Sequence, residues 1–222
     1  MRISKRAIFL LIVTLLIVSL GSQICTASSS SSSTDDWTMF HHDQNHTGYS
    51  TSTAPTTNNT LWGYQTAGGV DSSPTVASGI VYVGSGDSNV HALDASTGHE
   101  IWNYTIGSYG VSSSVAVSSG TVYVGTDDGS VYALDASTGA LVWKCPTGGY
   151  TSSSPAVANG VVYVGSAGNV YALDASTGAL IWKQTVGSGV QSSPAVVDGV
   201  VCRIVRQRGQ IVGAIIDFAG TH

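Results

Sequence analysis

The stretch YALDASTGALIW runs from Tyr171 to Trp182. The chain writes it twice before with small changes, as HALDASTGHEIW from His91 to Trp102 and as YALDASTGALVW from Tyr132 to Trp143. The tryptophan that closes each copy recurs at Trp62, Trp102, Trp143 and Trp182, at intervals of 40, 41 and 39 residues. Four segments repeat inside each interval in one order. In the first unit they are Ser72–Val76, Gly79–Gly84, Val90–Asp94 and Ile101–Thr105. In the second, Val115 stands where the others have proline. Each segment is short, rich in Val, Ile, Tyr and Trp, and bounded by Gly, Asn, Asp or Ser, as the strands of a meander are. No segment has helical periodicity, which sets the helical repeats aside. A period near 40 with four strands per unit predicts an all-β fold, a β-propeller of four-stranded blades.

Within the repeat each residue type has a physical task. Tyr171-Ala172-Leu173 reads as the third strand, with small Ala172 allowing a neighbouring blade to come close. Asp174 to Gly178 reads as a hairpin connection in which the carboxylate accepts backbone N–H groups and the glycine takes a positive φ. Ile181-Trp182 opens the outer strand, where the indole packs between blades and its N–H needs a partner. The same tasks fall to Ala92, Asp94, Thr97, Gly98 and Trp102 in the first unit, to Ala133, Asp135, Thr138, Gly139 and Trp143 in the second, and to Ala172, Asp174, Thr177, Gly178 and Trp182 in the third.

Outside the repeat the chain changes character. Arg2, Lys5 and Arg6 precede an apolar run from Ala7 to Cys25, and Cys25-Thr26-Ala27 supplies a small-x-small cleavage pattern, so residues 1–27 read as an export signal. A cleaved signal peptide is favoured over an uncleaved membrane anchor, although 19 residues of helix, roughly 28 Å, also reach across a bilayer. Either way the protein is expected outside the cytoplasm, secreted, periplasmic or at the cell surface. It would touch a membrane only through that segment. Residues 28–36 read as a serine-rich tether. Residues 37–60 form an N-terminal segment without clean periodicity, and residues 61–201 carry the blades. Leu61-Trp62-Gly63-Tyr64-Gln65-Thr66 matches only an outer strand, as when a ring closes by lending an N-terminal strand to its last blade.

Bulk properties exclude some tasks. A net charge of −5 with 9% charged residues gives no clustered basic face for nucleic acid. Cys25, Cys145 and Cys202 share no metal-type spacing, and a disulfide scaffold is not expected. Asn45, Asn58 and Asn103 head acceptor patterns for glycans.

The spacing A-x-D-x-x-T-G-x-x-x-W, at Ala92–Trp102, Ala133–Trp143 and Ala172–Trp182, resembles the tryptophan-docking motif of the pyrroloquinoline-quinone (PQQ) repeat family. WTMFHHDQNHTGYS, from Trp37 to Ser50, resembles the segment that precedes the first blade in exported members. The family includes quinoprotein alcohol dehydrogenases of eight blades and non-enzymatic propellers such as the outer-membrane assembly lipoprotein. The resemblance covers roughly Trp37 to Val201 and is specific for the repeat, not for an activity.

The fourth unit opens correctly with Ser192 to Val196 and Asp198 to Val201, then reads CRIVRQRGQIVGAIIDFAGTH. Residues 202–222 hold three of the chain's eight basic residues, and their apolar pattern is foreign to the repeat. Two readings stand, a frameshift and a genuine divergent C-terminus. On the blade count the chain is expected to be either a truncated propeller, part of a longer protein, or half of an oligomeric ring.

The residues offer three chemistries. The resemblance implies that a PQQ dehydrogenase would need a catalytic aspartate, a calcium or lanthanide site, a stacking tryptophan and often adjacent cysteines. No adjacent cysteine pair exists, and the repeated aspartates and tryptophans already have structural tasks. His41, His42, Asp43 and His46 crowd hard and borderline ligands into six residues and are weak metal candidates, since adjacent side chains of an extended chain diverge. Asp87, Asp127 and Asp128 in the hairpins offer oxygens to calcium, but the third unit has GSAGN there with no carboxylate, and Asp-Gly is ordinary turn chemistry. The expectation is therefore an exported, non-catalytic PQQ-like propeller that binds an unidentified protein or cell-surface partner, with no cofactor. The alternative is part of a quinoprotein dehydrogenase, with PQQ and calcium.

Overall fold

A computed structural model describes residues 35–53, 55–187, 190–207 and 210–217, with side chains described through 202. The signal, the tether through residue 34 and residues 218–222 lie outside the described residues. Among the described residues no helix is long and apolar enough to cross a membrane.

Each unit folds as a four-stranded antiparallel meander. The first blade comprises β1 (Thr75–Ala77), β2 (Ile80–Gly84), β3 (Asn89–Asp94) and β4 (Glu100–Thr105). The second has β5 (Ala116–Ser118), β6 (Thr121–Thr126), β7 (Ser130–Asp135) and β8 (Leu141–Pro146). The third has β9 (Ala156–Ala158), β10 (Val161–Ser166), β11 (Asn169–Asp174) and β12 (Leu180–Thr185). A fourth sheet holds three strands, β13 (Ala195–Val197), β14 (Val200–Gln207) and β15 (Gln210–Asp217).

Local chemistry explains the hairpins. Ser78-Gly79, Ser119-Gly120, Asn159-Gly160 and Asp198-Gly199 join first to second strands with both residues at positive φ, between 50° and 78°. That is the type I′ geometry whose twist suits a two-residue hairpin. The first strand begins at Thr75 rather than at Ser72: the Ser72 hydroxyl bonds the backbone of Gly84, and the Ser73 N–H is taken by the Ser114 hydroxyl of the next unit. In all three blades the outer strand carries a bulge before the tryptophan, so Ala92 faces Trp102 while Leu93 faces Glu100.

The middle strands are buried on both faces. β6 and β7 have no exposed residue, with Val122, Val124, Val131 and Leu134 at zero exposure. A sheet sandwiched between two others needs apolar residues on each side, which is why VYVG and VYAL read as continuous apolar runs rather than as alternation. The core accordingly lies between blades. Tyr82, Ala92 and Trp102 of the first cluster with Val122, Tyr132 and Leu134 of the second. Tyr123, Ala133 and Trp143 of the second cluster with Val162, Tyr171 and Leu173 of the third. Ala156 and Ala158 meet Val196 and Val201 of the fourth sheet.

Two segments depart from the repeat. Leu61–Thr66, expected as an outer strand, enters no ladder among the described residues. The tail pairs as a long hairpin in the blade register, Val200 opposite Asp217, as Val161 stands opposite Asp174.

Candidate functional site

The repeated residues converge on the joints between blades. Each indole leaves its own blade and lies on the turn of the next. Trp62 Nε1 donates to the Ala95 carbonyl, Trp102 to that of Ala136 and Trp143 to that of Ala175, each at 2.9 Å. Beneath the rings sit Gly98, Gly139 and Gly178, where an added Cβ would meet ring carbons at 2.6–2.7 Å. The glycine is needed twice over, for its φ of 71–73° and for this close approach. Tyr82 and Tyr123 bring their hydroxyls to the same carbonyls, Ala136 and Ala175, at 3.1 Å.

The repeated aspartates anchor those turns. Asp94 Oδ1 accepts the backbone N–H of Ser96 at 3.0 Å and of Thr97 at 2.8 Å, and their hydroxyls at 2.6 and 2.8 Å. Asp135 and Asp174 repeat the set with Ser137 and Thr138, and with Ser176 and Thr177. The serine and threonine hydroxyl bonds, then the backbone bonds, hold all three carboxyls down at about 2. Bonds of this kind favour the charged form, the opposite of what a proton-abstracting base near neutrality requires.

Two constellations escaped the reading of the sequence. In the Ser-Ser pair that opens the first two units, the first serine closes its own sheet: Ser72 and Ser113 each accept from and donate to the backbone of Gly84 and Gly125, whereas Ser153 of the third accepts from Gly165 N and donates to the Ser192 carbonyl of the next unit. The second serine links blades, with Ser114, Ser154 and Ser193 hydroxyls accepting the N–H of Ser73, Ser114 and Ser154 at 2.9–3.0 Å. The signal was there as a doubled serine at one place in every unit. The second is a charged cluster peculiar to the first blade. His91, 5% exposed, holds Glu100 at 2.8 Å through Nδ1 and Asp87 at 3.2 Å through Nε2. Tyr64 donates to the same Glu100 oxygen at 2.7 Å. The His91 bond, followed by that of Tyr64, lowers the Glu100 carboxyl despite its partial burial. His91 occupies the slot of Tyr132 and Tyr171, so comparing the units exposes it.

The N-terminal segment lies along the innermost strands. Trp37 and Thr38 carbonyls accept the N–H of Val76 and Val117, and the Gln44 carbonyl accepts that of Val196, at 2.7–2.8 Å. Met39, 6% exposed, packs with Ala116 and Val157. His41, His42 and His46 all have positive φ and wind into a tight loop. Asp43 accepts Asn45 N, Thr47 N and Thr47 Oγ1, while Asp35 reaches His42 Nε2 at 3.1 Å. His41 stacks on Phe40 instead, and burial pulls the His46 imidazole down. Among the described residues no three His, Cys, Asp or Glu side chains are grouped to hold a metal ion.

The hairpin carboxylates have protein partners. Asp87 is pushed up by burial, but the backbone N–H groups of Asn89 and Ala67 together with the His91 and Asn89 side chains outweigh it and lower the carboxyl. Asp128 takes Lys144 Nζ at 2.9 Å and Tyr132 Oη at 2.7 Å. Asp127 accepts Ser112 Oγ at 2.9 Å. Cys145 and Cys202 are free thiols. A crevice of about 480 Å³ opens between the second and third blades, lined by Thr121, Tyr123, Val142, Asp174 and Ser176.

Blades joined through a tryptophan on the next blade's Asp-to-Gly turn define a β-propeller of tryptophan-docked repeats. The sequence model of one protein family, described as outer membrane protein assembly factor BamB, matches residues 47–149, 108–170 and 147–219. The chain belongs to the PQQ-like repeat β-propeller family. It is similar to BamB from Moraxella catarrhalis, 27% identical, with a TM-score of 0.58 over 64% of this chain and 46% of that one. It is similar to quinohemoprotein alcohol dehydrogenase from Comamonas testosteroni, 33% identical, TM-score 0.59, over 68% of this chain and 27% of that one. Quinohemoprotein alcohol dehydrogenase ADHIIG from Pseudomonas putida HK5 shares the fold at 24% identity, TM-score 0.63, over 77% of this chain and 34% of that one. The chain thus spans less than half the length of the structures it matches. No curated protein matches it.

Proposed function

We propose that the chain is an exported, non-catalytic PQQ-like propeller that serves as a scaffold for a protein or cell-surface partner. One observation carries the reading. The Oδ1 atom of each of the three repeated carboxylates accepts the N–H and hydroxyl groups of its own turn, and the docked indoles bond to the neighbouring blade. Residues so engaged hold the shape of the turn, and the same bonds keep the carboxyls charged, with a proton affinity far below that of a base working near neutrality. The family description, that of an assembly factor, supports a protein partner. The outer strands supply apolar contact area, with Leu141, Val142, Leu180 and Ile181 47–55% exposed. Export rests on the pattern of residues 1–27.

The second reading, part of a PQQ-dependent dehydrogenase, is favoured by the 33% identity with the Comamonas testosteroni enzyme. Size-exclusion chromatography of the protein after incubation with PQQ and calcium separates the two. The scaffold reading predicts that PQQ absorbance elutes apart from the protein and that no alcohol reduces an added dye. Co-elution in fixed ratio with dye reduction overturns it.

A further inference from the structure

The joints between blades are built alike, but one of them is wider and more polar. Between the first and second blades a crevice of about 170 Å³ is lined by Ala77, Ile80 and Tyr82 on one side and by Val117 and Ser137 on the other. Between the second and third blades the matching crevice measures about 480 Å³. Ala77 and Ile80 face each other across the first two strands of their blade, and the matching pair of the third blade is Ala158 and Val161. In the second blade that pair is Ser118 and Thr121. Two apolar side chains have been exchanged for hydroxyls at one spot, on the wall of the wider crevice.

The polar groups of this wall are only partly used. Thr121 bonds to the Tyr123 hydroxyl, which itself donates to the Ala175 carbonyl. The Ser118 and Ser119 hydroxyls line the crevice and have no partner among the described residues. Asp174 lines it too. Its Oδ1 accepts four bonds, from the N–H and hydroxyl of Ser176 and of Thr177, while its Oδ2 accepts none among the described residues. The described lysines are engaged elsewhere, Lys144 with Asp128 and Lys183 over the Tyr171 ring. The crevice therefore presents one charged and two neutral oxygens beside the apolar surface of Val142 and Val157.

We propose that this crevice takes a lysine side chain of a partner protein. An ammonium group has three N–H donors and no acceptor, and Asp174 Oδ2 with the Ser118 and Ser119 hydroxyls offers it three acceptors, one of them charged. The methylene stem lies along Val142 and Val157, as long basic side chains do on apolar surface. An arginine is the poorer occupant. Its planar fork binds best to both oxygens of a carboxylate, and Oδ1 is already taken by the turn. The inference rests on the scaffold reading, because it describes that scaffold's protein partner. The two fail separately: binding of PQQ overturns the scaffold, whereas an empty crevice overturns only the lysine.

Chemical-shift mapping by NMR tests it. Nα-acetyl-lysine N-methylamide is titrated into the isotope-labelled protein, and the arginine analogue and methyl glucoside are titrated in parallel. Saturable shifts are expected at the amides of Ser118, Ser119, Thr121 and Ser176 with the lysine compound, and weaker binding with the arginine one. Asp174→Asn should weaken the lysine compound about tenfold by removing the charge from its bond. The double variant S118A/T121I rebuilds the wall of the narrow joint without altering charge, and should abolish binding. Asp135→Asn, at the narrow joint, should leave binding as in the parent. Amide spectra matching the parent away from the crevice show that the variants fold. The proposal is overturned by the absence of saturable shifts, by binding that survives S118A/T121I, or by equal shifts at the turns of Asp94, Asp135 and Asp174. An arginine response as strong as that of lysine, or a response to methyl glucoside alone, overturns it as well.

Discussion

Gly139→Ala and Gly120→Ala make a matched pair. Both glycines have nearly the same backbone, φ 72° and 75°. A Cβ at Gly120 meets nothing within 4 Å, whereas at Gly139 it lies 2.7 Å from Cδ2 and Cε3 of Trp102. Gly120→Ala therefore measures left-handed strain alone, about 1 kcal/mol. Gly139→Ala adds the retreat of the indole by roughly an ångström, which breaks the 2.9 Å bond to Ala136 and loosens its packing. The lost bond contributes about 1 kcal/mol and the lost packing a similar amount, for a total near 3 kcal/mol. In thermal unfolding followed by circular dichroism, a protein of this size loses about 2–4 °C per kcal/mol. Gly120→Ala should thus lower Tm by about 2–4 °C and Gly139→Ala by about 6–12 °C. In a Trp102→Leu background the cost of Gly139→Ala should drop to that of Gly120→Ala, because the two residues act through one contact. Equal costs for the two alanines in the parent protein would refute the docking of Trp102 on the second blade.

Other outcomes follow from the same geometry. The carboxyls of Asp94, Asp135 and Asp174 sit at about 2 when folded, against about 3.9 unfolded. Their contribution is complete above the unfolded value and is lost as pH falls towards the folded one. Tm should hold steady from about pH 7 to 5 and decline between about pH 4 and 2, and the triple change of these residues to Asn should shrink that decline. Met39→Ala empties a site between the N-terminal segment and the inner strands, and chemical denaturation should report a loss of about 2–4 kcal/mol. Ser154→Ala leaves the buried N–H of Ser114 without its 3.0 Å acceptor, which should cost about 1–3 kcal/mol in the same assay.

The blades were legible because each unit restates the same punctuation. Tandem Gly turns, a Val-Tyr run and a Trp at a fixed offset recur too often to mean anything else. The destination of the tryptophan was not legible. Trp102 stands four residues after Gly98, yet it covers Gly139, because a flat ring on an outer strand faces the adjoining sheet and not its own turn. The serine pairs read only as the opening of the first strand segment, since nothing in a linear sequence separates a hydroxyl that serves its own strand from one that serves the next blade. His41, His42, Asp43 and His46 looked like a ligand set by composition. Three positive φ values turn them into a loop in which Asp43 caps backbone and hydroxyl groups and Phe40 stacks on His41. The tail looked foreign in composition, yet its pairing keeps the blade register, with Val200 opposite Asp217.

The repeated aspartates are turn anchors, and everything said of the blades' polar residues depends on it. Carbon-detected NMR titration of their side-chain carboxyls measures this at the atoms concerned. It should give three values near 2, for Asp94, Asp135 and Asp174 alike. A value at or above the ordinary aspartate range for any of them would mean that its turn bonds are absent, and would return that carboxylate to the list of available bases.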